Sequence, residues 1–231
     1  MKKIILPLLV LFGLAVGIRS ILEHPTFQLF GDAVARIDTD VGKVAITFDD
    51  GPTSKYTPDV LATLAAFNVK ATFFITGQEA DRHPDALKAI VDAGHELGNH
   101  SYTHSRLVFV RPARVRQELA QTDAAILAAG YTAPTHFRPP YGKRFFSLPW
   151  VLSQQDRLTV MWDVDGDPNP AAPAEQIVRN VVDAARPGSI IILHPMFRSR
   201  ETTRAALPDV IQGLRDKGLE PVALSELLAL R

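Results

Sequence analysis

Short apolar runs alternate along the chain with longer segments in which apolar residues recur every three or four positions. The short runs are rich in β-branched and aromatic residues and predict strands, whereas the longer periodic segments predict helices. The predicted strands are Lys43–Phe48, Ala71–Thr76, His95–Asn99, His136–Tyr141, Leu158–Val164, Ser189–His194 and Glu220–Leu224. The predicted helices are Thr57–Phe67, Pro84–Ala93, Pro112–Ala129, Pro173–Ala185, Thr203–Lys217 and Ser225–Leu230.

This order of elements predicts an α/β fold, because strands that alternate with helices form a parallel sheet. The run Ser189–His194 is apolar almost throughout, as expected of a strand that is covered on both faces. About seven such units can close into a barrel or stay open and doubly wound. No glycine-rich dinucleotide fingerprint follows the first strand, which disfavours a nucleotide-binding fold.

The N-terminal segment has the pattern of an export signal. Two lysines near the start precede the apolar run Ile4–Ile18, which ends at Arg19. A positive start followed by about 7–15 apolar residues is typical of a secretory signal peptide. A membrane-spanning helix needs about 20 apolar residues, a length reached only if residues 21–22 extend the run past an arginine that snorkels. Residues 1–22 are therefore predicted to be either a signal peptide or a retained membrane anchor.

Either alternative places the rest of the chain outside the cytoplasm, in the periplasm or cell envelope. Residues 23–42 show no sustained periodicity and are predicted to be a linker or lead-in. Residues 43–231 remain, a length that suits one domain.

The composition excludes several classes of function. The 25 Lys and Arg residues balance the 25 Asp and Glu residues, so the chain lacks the basic excess of a nucleic-acid-binding surface. The chain contains no cysteine, which excludes disulfides, thiolate metal sites and cysteine nucleophiles. Any bound metal must therefore be held by histidine or carboxylate side chains.

Acidic, histidine and arginine residues occur where five of the predicted strands end. In a parallel (β/α) barrel these ends gather at one face, and active sites lie there. The residues concerned are Asp49, Asp50, His100, His104, Arg138, Tyr141, Asp163, Asp165, Asp167 and His194.

Two of these groups suggest metal chemistry. His100 and His104 are four residues apart, so one helical turn would point both imidazoles the same way and let them share a metal ion. A carboxylate from another strand would complete a His-His-Asp set and leave a coordination position open, as in catalytic sites. Asp49 and Asp50 are adjacent and cannot point the same way, so one can bind metal while the other contacts water. Each group also has a plainer explanation, as surface histidines or as a turn acid that caps the next helix.

Four segments in order resemble motifs of the polysaccharide deacetylase family, also called the NodB homology domain or carbohydrate esterase family 4. Thr47–Pro52 (TFDDGP) resembles the first motif, His100–His104 (HSYTH) the second, Arg138–Gly142 (RPPYG) the third and Ile192–His194 (ILH) the fifth. The resemblance covers residues 43–228. It implies an irregular (β/α) barrel, NodB-like, with about seven parallel strands.

The resemblance also implies an activity, the removal of N-acetyl groups from an amino-sugar polymer to give acetate and free amine. Asp50, His100 and His104 would bind a divalent metal ion. Zn²⁺ is the first expectation, although Co²⁺ or Ni²⁺ would suit the same ligands.

The remaining matched positions would perform the acid–base steps. By resemblance, Asp49 would be the general base, and Arg138 would pair with it and hold it in place. The backbone N–H of Tyr141 would donate to the oxyanion. His194 would be the general acid.

The chain departs from the family pattern at the fourth motif, where an Asp-Trp pair commonly supports the catalytic histidine and walls the groove. Residues 162–169 (WDVDGDPN) have no tryptophan after the acid. We expect Asp167 to be the partner of His194, with Asp165 as the alternative. The missing wall leaves the polymer open among peptidoglycan, a chitin-like oligomer and an exopolysaccharide.

Aromatic residues after the third motif have two alternative roles. Phe145, Phe146 and Trp150 would stack on sugar rings if they lined the groove, or they would pack in the core. We favour the core.

Two other functions remain compatible with the sequence. One is a non-catalytic carbohydrate-binding domain of the same fold, which the presence of Asp49 and His194 disfavours. The other is a metal-dependent amidase that acts on a small non-sugar amide. The export signal disfavours this second alternative.

Overall fold

The computed structural model describes residues 24–231, together with residues 13, 16, 17, 19 and 20. The signal peptide or anchor predicted at residues 1–22 lies, apart from those five positions, outside the described residues. Within the described part of the chain, no helix has both the length and the hydropathy that crossing a bilayer requires.

Strands and helices alternate from Ala33 onward. The strands are β1 (Ala33–Val34), β2 (Lys43–Asp49), β3 (Thr72–Ile75), β4 (Glu96–Asn99), β5 (Thr159–Val160), β6 (Val164–Asp165), β7 (Ile190–Leu193) and β8 (Glu220–Val222). The α-helices are α1 (Thr57–Ala66), α2 (Gly77–Arg82), α3 (Pro84–Asp92), α4 (Pro112–Ala128), α5 (Ser147–Ser153), α6 (Ala174–Ala184), α7 (Glu201–Asp216) and α8 (Leu224–Leu228). Short 3-10 turns cover Pro140–Gly142 and Arg198–Arg200.

The strands close into an irregular barrel. Strands β4, β3, β2, β7 and β6 are hydrogen-bonded neighbours in that order, all parallel, and β8 also pairs with β2. Phe137 completes the ring, because it bridges Asn99 at the end of β4 to Thr159 in β5. Strand β5 leads within a few residues into β6. The α/β class and the irregular (β/α) barrel predicted from the sequence are confirmed.

Several element boundaries differ from the prediction. Of the predicted strand His136–Tyr141, Phe137 forms the sheet bridges, because Pro139 and Pro140 have no N–H to donate and a 3-10 turn begins there. The predicted strand Leu158–Val164 is divided into β5 and β6. Helices α2 and α5 were not predicted, because six and seven residues are too short for a periodic pattern.

Strand β2 shows how the sequence directs side chains to the site. Alternate residues from Val44 to Phe48 pack in the apolar cluster beneath the helices. Ala45 belongs to a second cluster, which includes residues of β3, β5 and β7 and fills the barrel interior. Since side chains alternate along a strand, Thr47 and Asp49 also point into the interior. A polar residue at that end of the strand therefore reaches the face where catalytic groups gather.

The lead-in also packs against the barrel. Strand β1 pairs with β5, and the Ile37 N–H donates to the Gly188 carbonyl at 2.9 Å. At Gly188 φ is 82°, and a Cβ there would lie 1.9 Å from the Ile37 carbonyl oxygen, so glycine permits this approach. Strand β1 is two residues long, which is too short to give residues 23–42 a recognisable strand pattern.

Candidate active site

The three predicted metal ligands lie together. One ligand atom each from Asp50, His100 and His104 lies within 4.8 Å of the other two. Oδ1 of Asp50 is 3.4 Å from Nε2 of His100 and 3.0 Å from Nε2 of His104. This oxygen is buried and accepts no hydrogen bond. A buried carboxylate oxygen without a hydrogen bond, facing two imidazole nitrogens, fits a divalent metal ion held by one Asp and two His ligands.

The two histidines do not lie on the helical turn that their spacing suggested. They flank a non-helical turn in which φ is 65° at Ser101 and 54° at His104, and Asp50 has a φ of 74°. A non-glycine residue in this region costs about 1–3 kcal/mol and persists when its surroundings hold it. The approach of the ligands therefore depends on tertiary contacts.

Glu118 on α4 supplies those contacts, and the sequence analysis missed it. This side chain is 0% exposed, and its Oε2 accepts hydrogen bonds of 2.8 Å from the backbone N–H groups of Tyr102 and Thr103. Its Oε1 accepts from the Thr103 hydroxyl at 2.9 Å and pairs with Arg114 at 2.5 Å. An acidic residue on the buried face of an amphipathic helix is the sequence signal that could have identified it.

His100 has its tautomer set by the backbone. Its Nδ1 lies 2.7 Å from the Arg138 carbonyl oxygen, which can only accept, so Nδ1 carries the hydrogen and Nε2 is free to bind metal. Burial lowers the pKa of His100, but the charges of Asp49 and Asp50 outweigh it and raise that pKa overall. Burial alone would likewise raise the pKa of Asp50, yet His100 and His104 lower it far below its usual range. The charged forms of Asp50 and His100 therefore stabilise each other.

Asp49 and Arg138 form a buried ion pair beside the ligands. Nη1 of Arg138 lies 2.6 Å from Oδ1 of Asp49 and 2.8 Å from the Thr47 hydroxyl. The other oxygen, Oδ2 of Asp49, is 3.5 Å from Nε2 of His100. Burial lowers the pKa of Arg138, and Asp49 opposes that shift. One carboxylate oxygen is thus anchored while the other faces the ligand cluster.

His194 follows β7 and is held by Asp167. Nδ1 of His194 lies 2.8 Å from Oδ1 of Asp167, and the His194 backbone N–H donates to Oδ2 at 2.9 Å. Asp167 is 0% exposed and also accepts from the Thr203 hydroxyl. Burial alone would lower the pKa of His194, but Asp167 and the carboxylates of Asp49 and Asp50 raise it to about 9. Of the two acids considered, Asp167 makes the hydrogen bond.

Tyr141 lies at the rim of the site. Its φ is 58° within the 3-10 turn, and its side chain is 54% exposed. The ring is 4.8 Å from the His104 ring, and the Arg106 guanidinium lies 4.8 Å from its centroid. The Tyr141 ring therefore lies beside one of the predicted metal ligands.

A cavity of about 190 Å³ opens beside the ligands. Its lining residues are Asp50, Thr76, Gln78, Glu79, Tyr102, Thr103, His104 and Phe197. Phe197 is 39% exposed, which places an aromatic ring at the cavity in a chain without the fourth-motif tryptophan. A larger cavity of about 490 Å³ is lined by His136, Asp156 and Arg157, none of which is a predicted site residue.

The prediction that Phe145, Phe146 and Trp150 lie in the core is wrong for Phe146, which is 51% exposed. Phe145 is half-buried. Trp150 packs at the edge of a buried cluster that contains Val151. Phe146 precedes the first residue of α5, so it lies outside the buried face of that helix.

Comparison with known proteins gives one family. The chain matches the family described as polysaccharide deacetylase over residues 36–156, a region that includes Asp49, His104 and Arg138 but ends before His194. It is 37% identical over 188 residues to a peptidoglycan-N-acetylglucosamine deacetylase of Bacillus cereus, covering 80% of this chain and 68% of that protein. It is 33% identical to a peptidoglycan-N-acetylglucosamine deacetylase of Listeria monocytogenes over 80% of this chain, but spans 38% of that longer protein.

A solved structure has a closely similar fold. A carbohydrate esterase family 4 pseudoenzyme from Bacillus anthracis superposes with a TM-score of 0.79 at 29% identity, over 87% of this chain and 70% of that one. The fold alone therefore does not establish catalysis. Only the side chains of the site can indicate a reaction.

Proposed function

Because this chain belongs to the polysaccharide deacetylase family, we propose that it hydrolyses N-acetyl groups of an amino-sugar polymer, giving acetate and a free amine. One arrangement carries the proposal. Two acid–base groups, Asp49 and His194, lie beside the cluster of Asp50 and its two histidines, and each is oriented by a buried partner. A domain that only binds carbohydrate has no need of such groups. Residues 43–231 would form this catalytic domain.

Asp50, His100 and His104 would hold a divalent ion, for which Zn²⁺ is our first choice, with Co²⁺ or Ni²⁺ also suited to these ligands. When bound there, the ion would activate water and polarise the acyl carbonyl. Asp50 would contribute the negative charge of the set. The Nδ1–H bond of His100 to the Arg138 carbonyl would keep its Nε2 aimed at the ion.

Asp49 would take the proton of the attacking water. Arg138 would fix the carboxylate through Oδ1 and leave Oδ2 toward the ligand cluster. The backbone N–H of Tyr141 would donate to the oxygen on which charge develops, and such a donor typically contributes about 10²–10³ in rate.

His194 would protonate the departing nitrogen, since an amine is a poor leaving group without a proton. Its Nδ1–H points to Asp167, so the proton to be donated would be on Nε2. A pKa raised to about 9 keeps His194 protonated at neutral pH. Asp167 would therefore position the ring and stabilise its charged form.

Peptidoglycan is our first choice of polymer, because both reported relatives are named for it. A chitin-like oligomer and an exopolysaccharide remain the alternatives. We further propose that residues 1–22 direct the chain out of the cytoplasm and are retained as a membrane anchor, with a cleaved signal peptide as the alternative.

An acetate-release assay tests the activity. The full-length protein, loaded in turn with Zn²⁺, Co²⁺ and Ni²⁺, would be incubated with peptidoglycan, N-acetylglucosamine oligomers and an N-acetylated exopolysaccharide. We expect release from at least one polymer, lost in Asp50→Asn and kept in Asp38→Asn, a matched change at a fully exposed aspartate. Absence of acetate with every metal and polymer would overturn the proposal.

A non-catalytic carbohydrate-binding function is the second candidate, favoured by the similarity to a pseudoenzyme. Binding of a polymer without acetate release would support it. Release of product from small cyclic amides alone would instead indicate a small-molecule amidase.

A further inference from the structure

An exposed aromatic surface adjoins the candidate active site. Three segments form this aromatic surface: residues 24–31, 105–112 and 141–150. Its most exposed large hydrophobic side chains are Phe109 (75%), Tyr141 (54%), Phe146 (51%), Phe27 (46%) and Leu29 (41%). Large apolar groups that cluster at a surface mark an interaction site rather than chance exposure.

The aromatic rings are in contact across the three segments. Phe30 of the lead-in packs edge-on against Phe146, with ring centroids 5.2 Å apart. Phe109 packs in the same manner against Phe145 at 5.3 Å. Since Phe145 and Phe146 are consecutive, the two ring pairs bring the three segments next to one another.

The lysine and arginine side chains are the only formally charged ones within the three segments. The exposed Asp32 directly follows the first segment, so the basic character belongs to the segments themselves and not to everything beside them. Arg106 and Arg111 are exposed, and Lys143 is half-buried. Arg106 lies over the Tyr141 ring, so the cationic aromatic surface extends to the rim of the active site.

Arg144 fixes the lead-in to this surface. The side chain is 1% exposed, and Nη2 donates to the carbonyl oxygens of His24, Pro25 and Phe27 at 2.9, 2.9 and 3.2 Å. Nη1 donates to the Gly142 carbonyl at 3.2 Å, in the turn that contains Tyr141. The lead-in residues 24–27 are therefore held at the aromatic surface.

We propose that the aromatic surface lies against an anionic phospholipid bilayer, with Phe109 and Phe146 inserted to the boundary between headgroups and acyl chains. The proposal rests on the membrane anchor proposed for residues 1–22. Aromatic and aliphatic side chains beside cations are the composition that interfacial membrane-binding surfaces use. The membrane anchor proposed for residues 1–22 and the exposed arginines Arg106 and Arg111 favour lipid over glycan as the occupant. The active-site rim at Tyr141 would then face polymer close to the membrane.

Site-directed spin labelling tests this arrangement, because the chain has no native cysteine. Phe109→Cys and Phe146→Cys would be labelled in the full-length protein and incorporated into nanodiscs of phosphatidylcholine with phosphatidylglycerol. Leu127→Cys is the matched control, since Leu127 is also an exposed apolar residue (62%). It lies at the far end of α4, about 22 Å along the helix from Pro112.

We expect the labels at 109 and 146 to collide more with membrane-dissolved oxygen than with a water-soluble nickel chelate, and the label at 127 to show the reverse. Equal exposure to the nickel chelate at all three sites would overturn the proposal. Immobilisation of the 109 label by peptidoglycan fragments would indicate a glycan surface and would also overturn the proposal. Spin–spin broadening that disappears on dilution with unlabelled protein would indicate self-association and would overturn it as well. Failure of the full-length chain to enter nanodiscs would overturn the anchor and this proposal together, while acetate release tests the catalytic proposal separately.

Discussion

Nη1 of Arg138 lies 2.6 Å from Oδ1 of Asp49, and the two side chains are 0% and 2% exposed. Arg138 also donates to the Thr47 hydroxyl and to the carbonyl oxygens of Val160 and Met161. These contacts fix the position of the guanidinium. The guanidinium in turn fixes the orientation of the Asp49 carboxylate. A buried pair costs desolvation energy and contributes little net stability, so we propose that its role is to orient Asp49 as the general base.

Replacing Asp49 by asparagine should separate catalysis from folding. The amide keeps an acceptor for Arg138 but cannot take a proton, so we expect kcat to fall by about 10²–10⁴-fold. The uncompensated buried Arg138 should lower the free energy of unfolding by up to about 3–5 kcal/mol. Acetate release and urea unfolding measure these two effects, zinc content shows whether the metal site is retained, and Asp38→Asn is the control. A variant with wild-type kcat would exclude Asp49 as the base.

The local sequence pattern predicted the alternation of strands and helices, because most of these elements have their own hydrophobic period. It left a closed barrel and an open sheet as alternatives, and the family resemblance favoured the barrel. It also placed Asp49, His100 and His194 at strand ends, and the resemblance assigned them roles that remain predictions. Contacts between distant segments could not be predicted in this way. Glu118 bonds to backbone 15 and 16 residues away, and Arg144 to backbone as far as 120 residues away, so no periodicity records either contact.

Sequence reasoning was also weakest where backbone geometry is irregular. The spacing of His100 and His104 suggested a helical turn. The turn that follows His100 instead has positive φ at non-glycine residues. Phe146 shows the same difficulty, since an apolar residue just before a short helix has no periodic pattern that assigns it to a face. These are positions where tertiary contacts outweigh local preference.

Glu118→Gln should weaken metal binding without touching a ligand. Glutamine retains one oxygen for the N–H groups of Tyr102 and Thr103 but loses the negative charge and the second acceptor oxygen. Partners that orient metal ligands typically change affinity by about 10–100-fold, and we expect a loss of that size for Zn²⁺ by calorimetric titration.

The control for this change is Glu175→Gln, at an exposed glutamate on α6. Lower stability in Glu118→Gln with unchanged zinc affinity would restrict Glu118 to a structural role. Zinc removal by chelation should abolish acetate release from the wild-type protein, and zinc addition should restore it.

Asp167→Asn should move the alkaline limit of activity toward lower pH. His194 must be protonated to act as an acid, and its pKa is raised to about 9 largely through Asp167. Activity of the wild-type protein should therefore fall as the pH rises through the pKa of His194, and the variant should lose activity at a lower pH. A pH profile of kcat measures the shift, and an identical alkaline limb in both proteins would contradict this role.

The same pKa links His194 to stability. The pKa of His194 in the folded state lies above its unfolded value of about 6.5. Protonated His194 therefore contributes its full stabilisation below a pH of about 6.5. This contribution is lost as the pH rises through about 9. Urea unfolding at pH 6 and pH 10 should show a larger loss of stability for the wild-type protein than for Asp167→Asn.

Arg144→Met should release the lead-in from the turn that contains Tyr141. The buried guanidinium has its pKa lowered to about 10 by burial, and it is held by backbone carbonyls of His24, Pro25 and Phe27. Hydrogen bonds to a charged group contribute about 1.5–3 kcal/mol, so losing them should raise the detached population of the lead-in by roughly 10–100-fold. Chymotrypsin cleavage after Phe27 or Phe30, followed by mass spectrometry, measures that population.

Arg144→Lys should give an intermediate rate of cleavage, because lysine keeps the charge with fewer donors. Arg82→Met changes a largely exposed arginine paired with Glu79 and should be cleaved like the wild type. Equal cleavage of all four proteins would mean that contacts other than Arg144 secure the lead-in.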